Sequence, residues 1–337
     1  MIYISLAAYR DPLLQSTIDH AFKMAERPEE IRVGCYITVL PNTSGEEDKY
    51  GIKNNHGGKV MSTIDFAGEW FSVCKARNLA NQWLTEEYDY VLQIDSHTRF
   101  EPNWDTWLTE QHKKIDYPKA IIAGYPKPWW PKGSPEQSYN LEDGSYGMKD
   151  HYNDTLFEQT SFNVFGSRGE FLNGYELKPV HYYVKKQVKE GLDRGWYTSG
   201  CFFFAPAKYA IDLPQPEWIV FWGEEVYNSM RAFTHGWNVY IPIKVPIHHL
   251  FPGYEVIQKS NVPKLAMNKP SQDFPEEWKK EKMAGTDRCI DAIAAGTIGP
   301  EHFGTERPIS ELYEYLGYDL SEMFPKWREE YWQRHGK

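Results

Sequence analysis

Cysteine is scarce in this 337-residue chain: only Cys35, Cys74, Cys201 and Cys289, widely spaced and with no CxxC pair. That scarcity excludes a zinc ribbon and a disulfide scaffold, and it predicts four buried thiols. Long apolar runs are missing as well. None approaches the ~20 residues that a membrane-spanning helix needs, so no membrane partner is expected. The opening stretch MIYISLAAYRDP lacks the basic start and apolar core of a secretory signal and alternates like a first strand, which makes a cytoplasmic location the expectation. Positive charge is in deficit. With 37 Lys and Arg against 47 Asp and Glu, the formal net charge is -10, which argues against broad attraction to nucleic acid while leaving a local basic patch open. Internal repeats and low-complexity tracts are absent too.

Aromatic residues, by contrast, are plentiful, at 16% of the chain with 13 Trp. Their faces suit sugar rings or bases, although most are expected in the core. The 41% hydrophobic content is enough for one large domain, or a domain with an extension. Residues 1–8 alternate as a strand, and Asp11-Pro12 then supplies a capping side chain and a first-turn proline for a helix. Leu14, Ile18, Ala21, Phe22 and Ala25 share one face of that helix. IRVGCYITVL (31–40) reads as a second strand, and the polar stretch Pro41–Lys59 as a mobile loop. The spacing of Trp70, Val73, Ala76, Ala80 and Trp83 predicts a helix over 69–84. YVLQI ending at Asp95 and AIIAG (120–124) read as further buried strands. This alternation predicts a mostly parallel α/β sheet, with ligands binding beyond the carboxyl ends of its strands.

The segment YDYVLQIDSHTRFEPNWDTWL (88–108) sets Asp95 at such a carboxyl edge, with His97 two residues later. In extended backbone the two side chains point the same way. A carboxylate and an imidazole there form two corners of a divalent-metal site of mixed oxygen and nitrogen character. Read alone, the tripeptide is first of all a turn capped by Asp95 beside a surface histidine.

Four ordered segments carry a resemblance. SLAAYRD (5–11), ARNLANQWLTEEYDYVLQIDSHTRFEPNWD (76–105), FWGEEVYNSMRAFTHGWNVYIP (221–242) and FGTERPISELYEYLGYDL (303–320) resemble the GT-A glycosyltransferases that transfer N-acetylglucosamine from UDP-GlcNAc to hydroxyproline on a ubiquitin-ligase adaptor. The Asp-Ser-His pattern also resembles that of the mucin-type polypeptide GalNAc-transferases. The resemblance implies a GT-A-like, Rossmann-like mixed sheet flanked by helices, with a catalytic domain over 1–252 and a helical C-terminal extension over 253–337. It implies Mn2+ or Mg2+ held by Asp95, His97 and either His248 or His249 of VPIHHLF; the residues alone do not separate the two histidines. A UDP-sugar is the implied donor and a hydroxyl on a protein, a modified nucleic acid or a glycan the acceptor, with the anomeric configuration retained.

Other residues have two readings each. Arg77 is either a surface-helix arginine or a guanidinium reaching phosphate or uracil oxygens. Tyr9, Arg10 and Asp11 follow the first strand: Tyr9 can stack on uracil, while Asp11 either accepts from the nucleoside or caps the next helix. Glu224 and Glu225 suit the first turn of a helix ended by Gly236, and in the resemblance such acids bind sugar hydroxyls. Together with Asp95 they are the expected catalytic residues. Val226, Met230 and Phe233 are the packed face of that helix, and Trp222 offers an apolar wall. The irregular stretch 125–175 is expected to cover the acceptor, with Trp129 and Trp130 as a platform. Lys178, Lys185, Lys186, Lys189 and Arg194 read as a solvated face rather than a polyanion site. Competing readings are a transferase acting on hydroxylated DNA bases or a glycan, a metal hydrolase built on the same histidines, and a carbohydrate-binding protein.

Overall fold

In a computed structural model, the structure describes residues 1–68, 72–124, 126–130, 137–140, 146–148, 192–221, 223–242, 245–250, 270–296, 303–317 and 319–335. Strand β1 (Ile2–Tyr9) is buried along almost its whole length, as its apolar residues require of a central strand. It pairs in parallel with β2 (Ile31–Val39) on one side and with β4 (Tyr90–Asp95) on the other. Beyond β2 lies β3 (Val60–Phe66), also parallel. Beyond β4 the sheet turns mixed: β11 (Phe202–Pro206) runs antiparallel between β4 and β6 (Ala120–Ala123), followed by β12 (Asn238–Pro242) and β10 (Leu192–Gly195). The described order is β10-β12-β6-β11-β4-β1-β2-β3. The sheet is therefore mixed, as the resemblance implies, and less parallel than the strand–helix alternation alone predicts. Because the chain leaves β1 for β2 and returns to β4, strand order reverses between β1 and β4, and a crevice opens at their carboxyl ends. The register pairs Ala7 with Asp95, which sets the Asp-Ser-His turn in that crevice.

A smaller sheet completes it. β5 (Thr98–Phe100), β13 (Ile247–His249), β7 (Lys127–Trp130), β9 (Tyr146–Met148) and β8 (Gln137–Asn140) are hydrogen-bonded in that order. β13 pairs antiparallel with β5, opposing His249 to Thr98 and His248 to Arg99. Residues about 150 positions apart in the chain thus meet at one edge.

Helices cover the sheet. α1 (Leu14–Met24) buries Leu14, Ile18, Ala21 and Phe22, as its spacing predicts. Asp11 Oδ1 accepts from the Leu13 amide at 2.8 Å just ahead of it. The stretch 41–59 is not only a loop: α2 (Glu46–Tyr50) forms within it and buries Glu46 and Tyr50. A five-residue helix leaves too short a periodic signal to be read from sequence. Strand β3 also escapes the pattern, because VMSTIDF buries only its first residue at this sheet edge. α3 (Val73–Ala80) is shorter than the expected 69–84. Ser72 caps its start, accepting from Lys75 N at 3.0 Å, and a turn at Asn81 ends it; Glu69 and Trp70 lie outside the described residues. α4 (Trp104–Lys113) and α5 (Ala207–Asp212) follow. α6 (Glu224–Thr234) buries Val226 and Met230 with Phe233 packed alongside, and Gly236 beyond it has φ +81°.

The C-terminal part is mainly helical, as expected: α7 (Pro270–Asp273), α8 (Pro275–Ala295), α9 (Ile309–Leu316) and α10 (Leu320–His335). Cys289, Ile290, Ile293, Leu312, Leu320 and Phe324 from these helices join Val226 and Met230 of α6 in one apolar cluster. All four cysteines are buried and free.

α3 is seated on the sheet through a small residue. Tyr3 on β1 donates its hydroxyl to the carbonyl of Ala80, the last residue of α3, and Gly34 on β2 leaves room for that ring. A Cβ at Gly34 would lie 1.7 Å from Tyr3 Oη and 2.4 Å from Ala80 O. Gly34→Ala is expected to destabilise the fold by about 1 to 3 kcal/mol through overpacking, measured as a lower midpoint in urea with unchanged slope.

Candidate active site

The turn after β4 is held from several sides. Thr98 Oγ1 donates to Asp95 O at 2.8 Å, and Thr17 Oγ1 on α1 donates to Ser96 O at 2.7 Å. The Leu250 amide and the Trp129 indole both donate to His97 O, at 3.2 and 2.9 Å. With the backbone so fixed, the side chains converge. His249 Nε2 lies 2.9 Å from Asp95 Oδ2, the His97 and His249 rings are 4.7 Å apart, and the donor atoms of Asp95, His97 and His249 all lie within 4.8 Å of one another. Of the two neighbouring histidines it is His249 that joins this cluster: neighbours on β13 face opposite ways, and His248 Nε2 instead meets Glu101 Oε1 at 2.6 Å.

One carboxylate and two imidazoles are a donor set suited to a first-row divalent ion, so these three residues could hold one. Burial by itself would push the Asp95 carboxyl up. The hydrogen bond from His249, together with the electrostatic pull of the two imidazoles and the Arg77 guanidinium, outweighs it and holds the group well below the usual carboxylate range. For His249, burial pushes the imidazole down, and the charge of His97 helps it against the hydrogen bond to Asp95. A neutral ring with a lone pair is the form that ligates metal.

Beneath this cluster lies Arg77, which is 6% exposed. Its Nη2 is 3.9 Å from Asp95 Oδ1 and donates to Gly200 O at 3.0 Å, while Nη1 is 3.6 Å from Glu224 Oε1. It is not a surface-helix arginine. Gly200 permits the approach: a Cβ there would come within 2.8 Å of Arg77 Nη2 and 3.0 Å of Glu224 Oε1. Behind Arg77, Asn78, Gln93, Gln215 and Asn228 line a cavity of about 20 Å³, room for a water rather than a nucleotide.

The two acids opening α6 divide their work. Glu225 accepts from Gly200 N at 2.6 Å and from Tyr197 Oη at 2.5 Å, so its carboxylate braces the segment before β11. Glu224 is buried, and burial together with the charge of Glu225, partly countered by Arg77, pushes its carboxyl up to about 8. At neutral pH it keeps a proton and is a donor as well as an acceptor.

The residues after β1 are engaged too. Arg10 grips Glu46 of α2 through Nε and Nη2, at 2.8 and 2.7 Å, and its Nη1 meets Asp273 Oδ2 at 2.9 Å. Tyr9 Oη donates to the same Asp273 oxygen at 2.8 Å, and its ring packs near Leu40 and Val220. Asp11 is buried and faces the histidine cluster, accepting from Ser96 Oγ at 2.6 Å and His97 Nδ1 at 2.8 Å. Trp129 corrects the sequence reading: it is 1% exposed, with Arg99 stacked 4.2 Å from its ring, and forms no open platform. Trp222, the Trp130 side chain, and Lys178, Lys185, Lys186 and Lys189 lie outside the described residues, as does most of 125–175; Arg194 is exposed on β10. Gly200, Tyr197, Glu46 and Asp273 were not foreseen. Of these only Gly200, in TSGC just ahead of the apolar run FFFAP, carries a signal, since a glycine beside a strand marks close approach.

A family model described as Glycosyltransferase (GlcNAc) matches residues 1–50 and 72–321. The chain belongs to this glycosyltransferase family. No curated protein matches it. Among solved structures it is similar to GalNAc-T7 with UDP, GalNAc and Mn2+, at TM-score 0.48 and 11% identity, covering 97% of this chain and 56% of that one. It is similar to S. aureus TarS, at TM-score 0.44 and 12% identity over 78% of this chain and 40% of that one. A third is the mannosyltransferase PcManGT from Pyrobaculum calidifontis with GDP-Man and Mn2+, at TM-score 0.44 and 10% identity over 97% and 85%. The chain thus spans little more than half the length of GalNAc-T7. Among the described residues of this family member, no helix is long and apolar enough to cross a membrane.

Glu224 generates a pH test. Its carboxyl rises from 4.5 unfolded to about 8 folded, so between those values the folded state holds a proton that the unfolded state has released. Stability therefore falls as pH rises through that window and levels off above it. Urea melts from pH 5 to 9 should show this slope, and Glu224→Gln should flatten it.

Proposed function

We propose that this glycosyltransferase moves N-acetylglucosamine from UDP-GlcNAc to an acceptor hydroxyl, in a metal-dependent reaction that retains the anomeric configuration. The observation that carries the reading is the convergence of Asp95, His97 and His249 at the carboxyl edge of β4, with Arg77 and Glu224 directly beside them. A diphosphate leaving group develops negative charge as its bond to the sugar breaks. A divalent cation held by Asp95, His97 and His249 supplies charge that stabilises it. Arg77, fixed by Gly200, adds a buried positive charge behind the same edge. Glu224, neutral and able both to donate and to accept, is the group assigned to sugar hydroxyls, and Glu225 keeps the Tyr197–Gly200 segment in place for it. In the same-face route, the acceptor oxygen forms its bond to the anomeric carbon as the bond to the phosphate oxygen breaks. The acceptor's proton passes to that departing oxygen, so charge and atoms balance without a protein nucleophile. The acceptor is a hydroxyl on a protein, a hydroxylated base or a glycan, and protein hydroxyproline is the class that the sequence resemblance favours.

UDP release from a panel of UDP-sugars, with and without Mn2+, tests this directly. UDP-GlcNAc should be turned over with Mn2+ only, and release should be lost in Asp95→Asn, His97→Ala and His249→Ala. Tight zinc on purification with no UDP affinity would show a hydrolase instead. Arg77→Ala should weaken UDP binding by about 1.5 to 3 kcal/mol, the worth of one charge-assisted contact, by calorimetry. NMR of the product settles the stereochemistry: a small anomeric coupling means an α linkage and retention, a large one a β linkage and inversion.

A further inference from the structure

Asp11 is a buried carboxylate beside the histidine cluster that this metal reading leaves without a part. It ends the loop after β1, is 6% exposed, and its two oxygens do different things. Oδ1 accepts from the Leu13 amide at 2.8 Å. Oδ2 accepts from Ser96 Oγ at 2.6 Å and from His97 Nδ1 at 2.8 Å. With three donors on a buried carboxylate, little capacity is left for a nucleoside. The bond to Nδ1 fixes the His97 ring in its plane and leaves Nε2 as the nitrogen that can face Asp95 and His249.

We infer that Asp11 is a positioning residue of the metal site: its Oδ2 selects the His97 tautomer with hydrogen on Nδ1, orients the ring through Ser96 and His97 together, and so presents Nε2 to the ion. This rests on the reading of Asp95, His97 and His249 as ligands. Carboxylates that accept from a ligating imidazole keep its orientation and raise its basicity, and their loss typically lowers metal affinity by about 10- to 100-fold. Asparagine cannot replace the residue. It has one carbonyl oxygen, so its amide group must face either the Leu13 amide or the Ser96 and His97 donors, where a carboxylate accepts on both sides.

Calorimetric titration with Mn2+ alone, on the whole chain, tests this through a double-mutant cycle. Asp11→Asn should lower affinity by about 10- to 100-fold in the parent background, and add no further loss once His97→Ala has removed the ring. Parent-like affinity in Asp11→Asn, or an equal loss in both backgrounds, would overturn the positioning role while leaving the metal site standing. A parent protein that binds no Mn2+ would instead overturn both. Should Asp11→Asn fail to fold, 15N-histidine NMR of the unsubstituted protein loaded with diamagnetic Zn2+ decides the matter. His97 is expected to bind through Nε2 with a slowly exchanging hydrogen on Nδ1; metal on Nδ1 would refute the inference.

Discussion

The burial of one guanidinium organises the centre of this molecule. Arg77 sits on α3 beneath the sheet edge, where an uncompensated charge would cost several kcal/mol. Its partners come from three separate pieces of chain, of which Asp95 carries the negative charge. Asp95 reaches it from the end of β4, Glu224 from the start of α6, and Gly200 through its carbonyl from the turn before β11. Because these groups meet around one guanidinium, with Gln215 beside them, the end of β4, the first turn of α6 and the Gly200 turn are held together. The histidine cluster is then built on the side of Asp95 away from the arginine. A Tyr3 hydroxyl on the Ala80 carbonyl fixes the same helix three residues beyond Arg77, so Arg77 cannot relax without disturbing the sheet.

The second constraint is a pairing of short strands. β5 and β13 have three residues each and contribute little stability by themselves, yet their register alone opposes His249 to Thr98. Thr98 is two positions from Ser96, whose carbonyl and hydroxyl are held by Thr17 and Asp11. The geometry of the Asp95, His97 and His249 cluster thus depends on the small sheet locking onto a turn that α1 and the β1 loop have already fixed. Rigid placement by backbone and by the hydrogen bonds behind the ligands is what a site needs if its side chains are not to be reordered on binding.

Strands β1, β2 and β4 were legible because their periodicity is strong. β1, β2 and β4 are apolar on nearly every buried position, and the sequence pattern locates each to within a residue or two. Asp95 and His97 were legible for a related reason, since a polar tripeptide that terminates a buried strand must lie at the sheet edge. Glu46 was not. It lies in a five-residue helix inside a polar stretch, and its burial comes from Arg10, 36 positions away, rather than from any local pattern. Asp273 escaped likewise, because only tertiary contact sets a C-terminal carboxylate on Tyr9 and Arg10. Arg77 was found by resemblance, but its depth was not apparent: on a helical wheel a position bordering the apolar stripe reads as a rim, and only the convergence of acids from elsewhere makes it an interior one. Trp129 went wrong for the converse reason. An aromatic in a Pro-rich irregular stretch looks available, and its burial under Arg99 and its bond to His97 O follow from a strand pairing that no local signal announces.

Two pairs of identical neighbours, His248/His249 and Glu224/Glu225, share a lesson about what a doublet in a sequence means. On a strand, adjacent side chains leave opposite faces, so only one imidazole of the pair can enter the cluster while its neighbour must find a partner on the other side, here Glu101. On a helix, adjacent side chains diverge by about 100°, enough for one carboxylate to brace Gly200 and Tyr197 while the other meets Arg77. The divergence has a chemical consequence. Burial comes first, and the charge of Glu225 adds to it, in pushing the Glu224 carboxyl up. The bracing acid therefore shifts its neighbour. A doublet marks the neighbourhood of a site, and the geometry of the element beneath it assigns the roles within the pair.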